Sequence, residues 1–147
     1  MADGRLQDVL FYSLESAIKA YRRFAQARLH AEGADITVDQ WLVLKTIHES
    51  ADVTLQQIGA AVFKDFASVT RIVQLLERKG LLRRKPHPTD GRRSELALTG
   101  SGESLIRAVE PIAQANRRQA LEGIDAEQVA QLRAVLRRIV ENCDARR

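Results

Sequence analysis

Over most of the chain the apolar positions recur at intervals of three and four, the period of an amphipathic helix. Leu6, Val9, Leu10, Leu14, Ala17, Ile18, Tyr21 and Phe24 mark a first helix from about Arg5 to Ala31, with Gly33 as its stop. Three later segments open with a short polar side chain and a Gln three residues on. In that pattern two free amides of a helix's first turn are satisfied reciprocally. Thr37 and Gln40 open a helix through Trp41, Leu42, Leu44 and Ile47; Thr54 and Gln57 open a short one through Ile58 and Ala61; Asp125 and Gln128 open the last. Phe63-Lys64-Asp65 reads as a brief turn, after which Asp65 caps a helix that runs to Lys79 and ends at Gly80.

Beyond Gly80 the period changes. Leu81-Leu82-Arg83-Arg84-Lys85 leads into Pro86-His87-Pro88-Thr89-Asp90-Gly91, dense in turn formers, and the stretch from Arg92 to Leu98 ends in alternation. Two short strands around such a tip predict a β-hairpin. Thr99 then caps a helix through Leu105, Ile106, Val109 and Ile112, which Pro111 should kink because its ring clashes with the carbonyl four residues back. The last helix spaces Val129, Leu132, Leu136, Ile139 and Cys143 along a narrow seam suited to another helix. The fold class expected is all-α with a small β-hairpin wing, in a single domain of residues 1–147.

Charge changes the picture at one place. From Arg71 to Arg93 there are eight basic residues against Glu77 and Asp90, a local balance of +6, while the remaining fifteen basic and seventeen acidic residues give −2. A basic block in an otherwise slightly acidic chain points to a polyanion surface, although a solvated charged face has the same composition. Composition excludes other classes. No run of apolar residues is long enough for a transmembrane helix, and the N-terminal MADGRLQDVL lacks the basic-then-apolar order of a secretory signal. The expected compartment is the cytoplasm. A lone Cys143 and scattered histidines (His30, His48, His87) offer neither a disulfide nor a zinc spacing, so no metal or cofactor is expected. Nothing supplies a nucleophile elbow or an oxyanion site, so no enzyme activity is expected.

Two helices joined by a three-residue turn and followed by a basic hairpin describe a winged helix-turn-helix, whose second helix enters the major groove. In that helix, Phe66 to Lys79, the inward stripe is Val69, Ile72, Val73 and Leu76. The opposite face presents Ser68, Arg71, Leu75 and Arg78, flanked by Thr70 and Gln74. The candidate DNA-binding residues are Ser68, Thr70, Arg71 and Gln74 on the helix, with Arg84, Arg92 and Arg93 on the hairpin; their side chains can bond bases or phosphates.

These residues resemble the MarR family of transcriptional regulators over essentially the whole length. The most specific stretch is Arg84-Lys85-Pro86-His87-Pro88-Thr89-Asp90-Gly91-Arg92, which fits the family's wing pattern Arg-x-Pro-x-x-x-Asp-x-Arg. Leu98-Thr99-x-x-Gly102 follows at the usual distance; Gln40-Trp41-x-x-Leu44, Ser68-Val69-Thr70-Arg71 and Leu76-Glu77-Arg78-Lys79-Gly80-Leu81 also fit. The resemblance implies a homodimer intertwined through its first, fifth and sixth helices, with residues 1–32 and 100–147 dimerising and residues 37–99 forming the DNA lobe. It implies a repressor on a palindromic site in double-stranded DNA, Arg92 in the minor groove and Asp90 supporting the wing. It also implies release by a small aromatic or lipophilic effector between dimer and DNA lobes, for which Tyr21, His30 and Trp41 are candidate lining residues. Phe66 stands where the family often has Arg. Gly59 replaces a usual Ala, at roughly 0.5–1 kcal/mol of helix propensity, and would permit closer packing.

Dimerisation also follows from the residues themselves. Two terminal helices with apolar seams have no third layer in one chain to cover them, and pairing with a second copy buries both. The alternative is that they pack on each other. On this pattern Cys143 is a small buried hydrophobe of the last seam. The rival readings are a winged-helix protein-interaction module, which would carry a neutral or acidic wing, and a redox-responsive regulator acting through Cys143.

Overall fold

In the computed structural model, which describes residues 4–50 and 52–146, the helical periodicity is realised as six α-helices. In chain order they are α1 (Leu10–Ala31), α2 (Val38–Glu49), α3 (Leu55–Val62), α4 (Phe66–Arg78), α5 (Gly100–Ala120) and α6 (Ala126–Asp144). Between α4 and α5 lies an antiparallel hairpin of β1 (Leu82–Pro86) and β2 (Ser94–Leu98), in the register Leu82 opposite Leu98 and Pro86 opposite Ser94. All three expected capping boxes form: Thr37 with Gln40, Thr54 with Gln57 and Asp125 with Gln128. Thr99 caps α5 through the Gly102 amide, and its hydroxyl also donates to the Gly80 carbonyl, tying the root of the hairpin to the next helix. Gly80 ends α4 at φ +76°, where a side chain would be strained, and the Leu81 amide bonds back to the Leu76 carbonyl.

The first helix departs from expectation. Leu6–Asp8 form a 3-10 turn, Val9 is extended, and the α-helix begins only at Leu10. Neither Arg5 nor Val9 provides a side-chain cap for the free amides, and a β-branched valine is a weak helix former. Pro111 lies inside α5, which continues through it as α-helix.

The core is continuous. Val43 and Leu44 of α2, Ile58 of α3 and Val69, Val73 and Leu76 of α4 are fully buried, and Val109 of α5 joins them. Helices α2, α3 and α4 pack on one another, β2 and α5 lie against α2, and α1 packs along α5. Among the described residues helix α6 has no substantial packing partner and buries no residue. This corrects the placing of Cys143, which is exposed in the single chain because no described element packs substantially on the helix that carries it. The same helix leaves Leu132, Val135, Leu136 and Val140 open, and the start of the chain leaves Leu6, Leu10, Phe11 and Tyr12 open.

Candidate nucleic-acid interface

The helix-turn-helix is built from α3, the turn 63–65 and α4. Phe63 closes α3 in the left-handed region at φ +61°, and the Lys64 amide bonds back to the Gly59 carbonyl. The turn passes so close to α3 that a Cβ on Gly59 would lie 2.7 Å from the Lys64 carbonyl oxygen. Only glycine fits there without displacing backbone. Asp65 then caps α4, its Oδ1 accepting the Ser68 amide at 2.7 Å. That backbone hydrogen bond holds the Asp65 carboxyl below its ordinary range.

With Val69, Val73 and Leu76 buried, α4 turns Arg71, Gln74 and Arg78 fully outward, while Ser68 and Thr70 are half-buried at the edges of that face. The Thr70 hydroxyl donates to the Phe66 carbonyl at 2.8 Å, so towards a ligand it can only accept. The Arg71 guanidinium rests on the Ser68 hydroxyl at 3.3 Å and makes no ion pair among the described residues, although its charge helps to lower the Asp65 carboxyl. Phe66, at the first turn of α4, is 61% exposed and borders a groove shared with Thr54 and Gln56 of α3 and with Arg84 and Arg93.

The hairpin cations divide into two groups. Arg84 pairs with Glu77 of α4 at 3.2 Å, Lys85 with Glu95 at 3.8 Å, and Arg93 with Asp52 at 3.2 Å. Arg83 and Arg92 are exposed, and among the described residues neither has an acidic partner. Arg92 and Arg93 belong to the tip rather than to β2. Asp90 supports this tip in a way narrower than expected: its Oδ1 accepts the backbone amide of Arg92 at 3.1 Å and its carbonyl accepts that of Arg93. It fixes the backbone beneath Arg92 and, among the described residues, pairs with no arginine side chain, where a hold on one was expected.

Asp52, which no sequence pattern marks, lies in the loop between α2 and α3 at φ +57°. One carboxylate oxygen takes Arg93 and the other takes His87 Nε2 at 3.1 Å. The hydrogen bond from His87, with the positive charge of Arg93, holds the Asp52 carboxyl below its ordinary value. The only sequence-level sign of this residue would have been aspartate's tolerance of the left-handed region just ahead of a helix cap.

A second feature lies where α1 and α5 meet α2 and the 63–65 turn. A cavity of about 330 Å³ is walled there by Tyr21, Leu29, Trp41, Phe63, Val109 and Asn116, with Arg22 and Arg117 also lining it. Trp41 Nε1 and Asn116 Oδ1 are buried there without a partner, a donor and an acceptor both unused. Asp39 braces its edge, accepting Arg22 of α1 at 2.9 Å and Lys64 of the turn at 3.1 Å. Burial pushes the Asp39 carboxyl up, but the bonds and charges of Lys64 and Arg22 together outweigh it and hold the group below its ordinary value. Of the three candidate lining residues, Tyr21 and Trp41 come together here. His30 does not: it lines a separate hollow with Gln26, Gln40 and Lys79, because it points to a different side of α1 from Leu29. Asn116 was missed, since a lone Asn on an amphipathic helix carries no sequence signal. Among the described residues no cluster of His, Cys, Asp and Glu could hold a metal ion, and no helix is long and apolar enough to cross a membrane.

A helix-turn-helix with an outward arginine and glutamine, flanked by a basic hairpin, defines a winged-helix protein. Residues 34–93 match the MarR family. Along the whole chain the fold is similar to that of a probable transcriptional regulator from Pseudomonas aeruginosa, at 28% identity and a TM-score of 0.81, covering 92% of this chain and 99% of that one. It is also similar to MepR of S. aureus, solved with DNA (23% identity, TM-score 0.82, 95% and 99% covered). A third is BpsR of Bordetella bronchiseptica (20% identity, TM-score 0.82, 92% and 96% covered). The winged-helix segment of the chain is thus similar to the MarR family, and the fold likeness extends over most of its length.

Proposed function

We propose that the protein is a homodimeric repressor that binds a palindromic operator and releases it when a small aromatic acid occupies the cavity between α1, α2 and α5. The observation that carries the DNA reading is the shared exposure of Arg71, Gln74 and Arg78 on α4 and of Arg92 at the hairpin tip, the three arginines forming no ion pair among the described residues. Residues 37–99 act as the DNA lobe. The open apolar faces of α6 and of the chain's start support pairing with a second copy through the flanking segments. MepR of S. aureus was solved as a DNA complex, and its fold is the one found here.

The effector reading rests on the cavity. Its volume falls within the range of small-molecule sites, its walls are mostly apolar, and its unpaired donor and acceptor would orient a ligand. Arg22 and Arg117 give a carboxylate a place to dock, although each already has an acidic partner, Asp39 and Glu110. BpsR, whose DNA binding is regulated by 6-hydroxynicotinic acid, shares the fold. A ligand bridging α1 and α5 to the 63–65 turn changes DNA occupancy only through unequal affinity for the DNA-competent shape. The site of action for such a regulator is the cytoplasm.

Selection of DNA from a random pool by the purified protein tests the reading. The expected product is an inverted repeat whose half-sites lie about one helical turn apart, roughly 34–36 Å. A pool without enrichment would end the DNA reading, and an enriched site lacking two-fold symmetry would end the dimeric one. Placing the selected site in a promoter upstream of a reporter then gives the sign of regulation.

A further inference from the structure

We infer that Asp52 and His87 are positioning residues for Arg92, forming a hydrogen-bond relay that fixes the wing tip from the loop between α2 and α3. The inference rests on the DNA-binding reading above and deepens it. The tip, residues 87–93, is closed at its neck by the His87 amide bonding to the Arg93 carbonyl. The side chains of those same two neck residues are both taken by the Asp52 carboxylate, His87 at 3.1 Å and Arg93 at 3.2 Å. Inside the tip, His87 Nδ1 accepts the backbone amides of Thr89 at 3.2 Å and Asp90 at 3.1 Å. Asp90 Oδ1 in turn accepts the amide of Arg92 at 3.1 Å. The line of control therefore runs from Asp52 through the imidazole and Asp90 to the backbone that carries Arg92.

The chemistry of this relay fixes a tautomer. An imidazole nitrogen that accepts two amide N–H groups bears no proton, so the ring is neutral with its hydrogen on Nε2, donated to Asp52. A second proton could enter only at Nδ1. There it would turn an acceptor into a donor facing the Thr89 and Asp90 amides, with the Thr89 hydroxyl oxygen at 3.3 Å left to accept it. The charged and titratable groups that face the ring are Asp52 from the adjoining loop and Asp90 and Arg93 from the wing itself. The consequence is mechanical: loss of the Nδ1 acceptor would keep the grip on the neck but release the tip, and Arg92 would lose its fixed base. The other histidines have no part in this, since His48 pairs with Glu103 and His30 lies beside Gln26 and Lys79.

Position and charge make opposite demands, so the test has a sign. Asp52→Gly removes a carboxylate and frees Arg93, which by Coulomb attraction alone would tighten DNA binding. If the relay positions Arg92, D52G binds the selected operator more weakly, by roughly tenfold, the size of one lost charge-assisted hydrogen bond. Glycine is at ease at the φ of +57° found there, so D52G keeps the fold; its melting temperature provides the control. Asp52→Asn, which also tolerates this backbone and keeps one acceptor oxygen, restores part of the affinity.

Rescue by a side chain of like geometry supplies a readout that a merely structural role would not move. His87→Ala removes the acceptor of the two tip amides and loses operator affinity relative to random DNA. His87→Asn places an amide oxygen where Nδ1 stood, keeps the tip bonds and regains most of that affinity. Operator binding by D52G equal to or tighter than wild type overturns the relay, as does H87A binding the operator as tightly as wild type. Failure to enrich any DNA at all removes the regulator reading and this proposal with it.

Discussion

Arg92 and Asp90 sit two residues apart at the wing tip, and their charges have opposite effects on DNA, which makes their substitutions informative. Arg92 is exposed, and among the described residues it has no acidic partner. A guanidinium there can enter a minor groove too narrow for a helix and lose its hydration cheaply. Arg92→Ala is expected to weaken operator binding by about 1–3 kcal/mol while thermal unfolding stays nearly unchanged. Asp90→Ala is expected to weaken it also, because the carboxylate holds the Arg92 amide; tighter binding at physiological salt would show that the wing acts as a charge patch. On α4 the same logic separates reading from holding. Arg71 and Gln74 face outward, and the loss of either should cost about 1–3 kcal/mol on the selected site and little on random DNA. Ser68 and Thr70 are half-buried and the Thr70 hydrogen is already given to Phe66, so their alanine variants should differ little between the two DNAs.

At the scale of the element, the short helix α3 shows how tertiary contact reverses a local preference. Helix propensity alone says that Gly59→Ala stabilises α3 by roughly 0.5–1 kcal/mol. The Lys64 carbonyl oxygen, 2.7 Å from where that Cβ would be, belongs to the turn that aims α4. Backbone cannot yield as a flexible side chain does, and overpacking of this kind costs about 1–3 kcal/mol. G59A is therefore expected to unfold at lower denaturant concentration than wild type and to bind the operator more weakly, since the turn must shift. An increase in stability would mean that the turn accommodates the methyl group. Chemical denaturation and a binding titration on one preparation give both answers.

For the whole molecule the governing quantities are charge and symmetry. Arg71, Arg78, Arg83 and Arg92 form no ion pair among the described residues, whereas Arg84, Lys85 and Arg93 do. With both protomers engaged, about six to eight cations meet phosphates, and the log-log salt dependence of operator binding should have a slope near −5 to −7. A slope near zero between low and physiological salt would contradict it. Light scattering at micromolar concentration should return twice the 16.5 kDa chain mass; a monomer mass would leave the open face of α6 unexplained. The cavity gives a further test, because Trp41 is the sole tryptophan and lines it. Phenolic and pyridine carboxylic acids should quench its emission and release the operator over the same concentration range. A panel that changes neither would remove the effector from the mechanism.

What the sequence determined by itself is what depends on neighbours within about one helical turn. The pairs Thr37 with Gln40, Thr54 with Gln57 and Asp125 with Gln128, the Asp65 cap and the stop at Gly80 all involve groups a few residues apart. They are legible because the same atoms meet wherever that local pattern folds into a helix. The wing was legible for a like reason, its turn formers and alternating strand being local signals. The break at Val9 shows the limit of periodicity, which continues through a residue where no cap holds the helix. The tertiary structure alone decided the rest. Asp52 meets Arg93 across 41 positions of sequence, and Gly59 is required by a carbonyl five residues on that approaches only once the turn is made. His30 parts from Tyr21 and Trp41 because it lies about 100° round the helix from its neighbour Leu29, which does line the cavity, and so faces another hollow. Cys143 is exposed because no described element packs substantially on α6. Such contacts depend on where rigid elements carry their side chains, and the spacing of residues along a chain does not encode that placement.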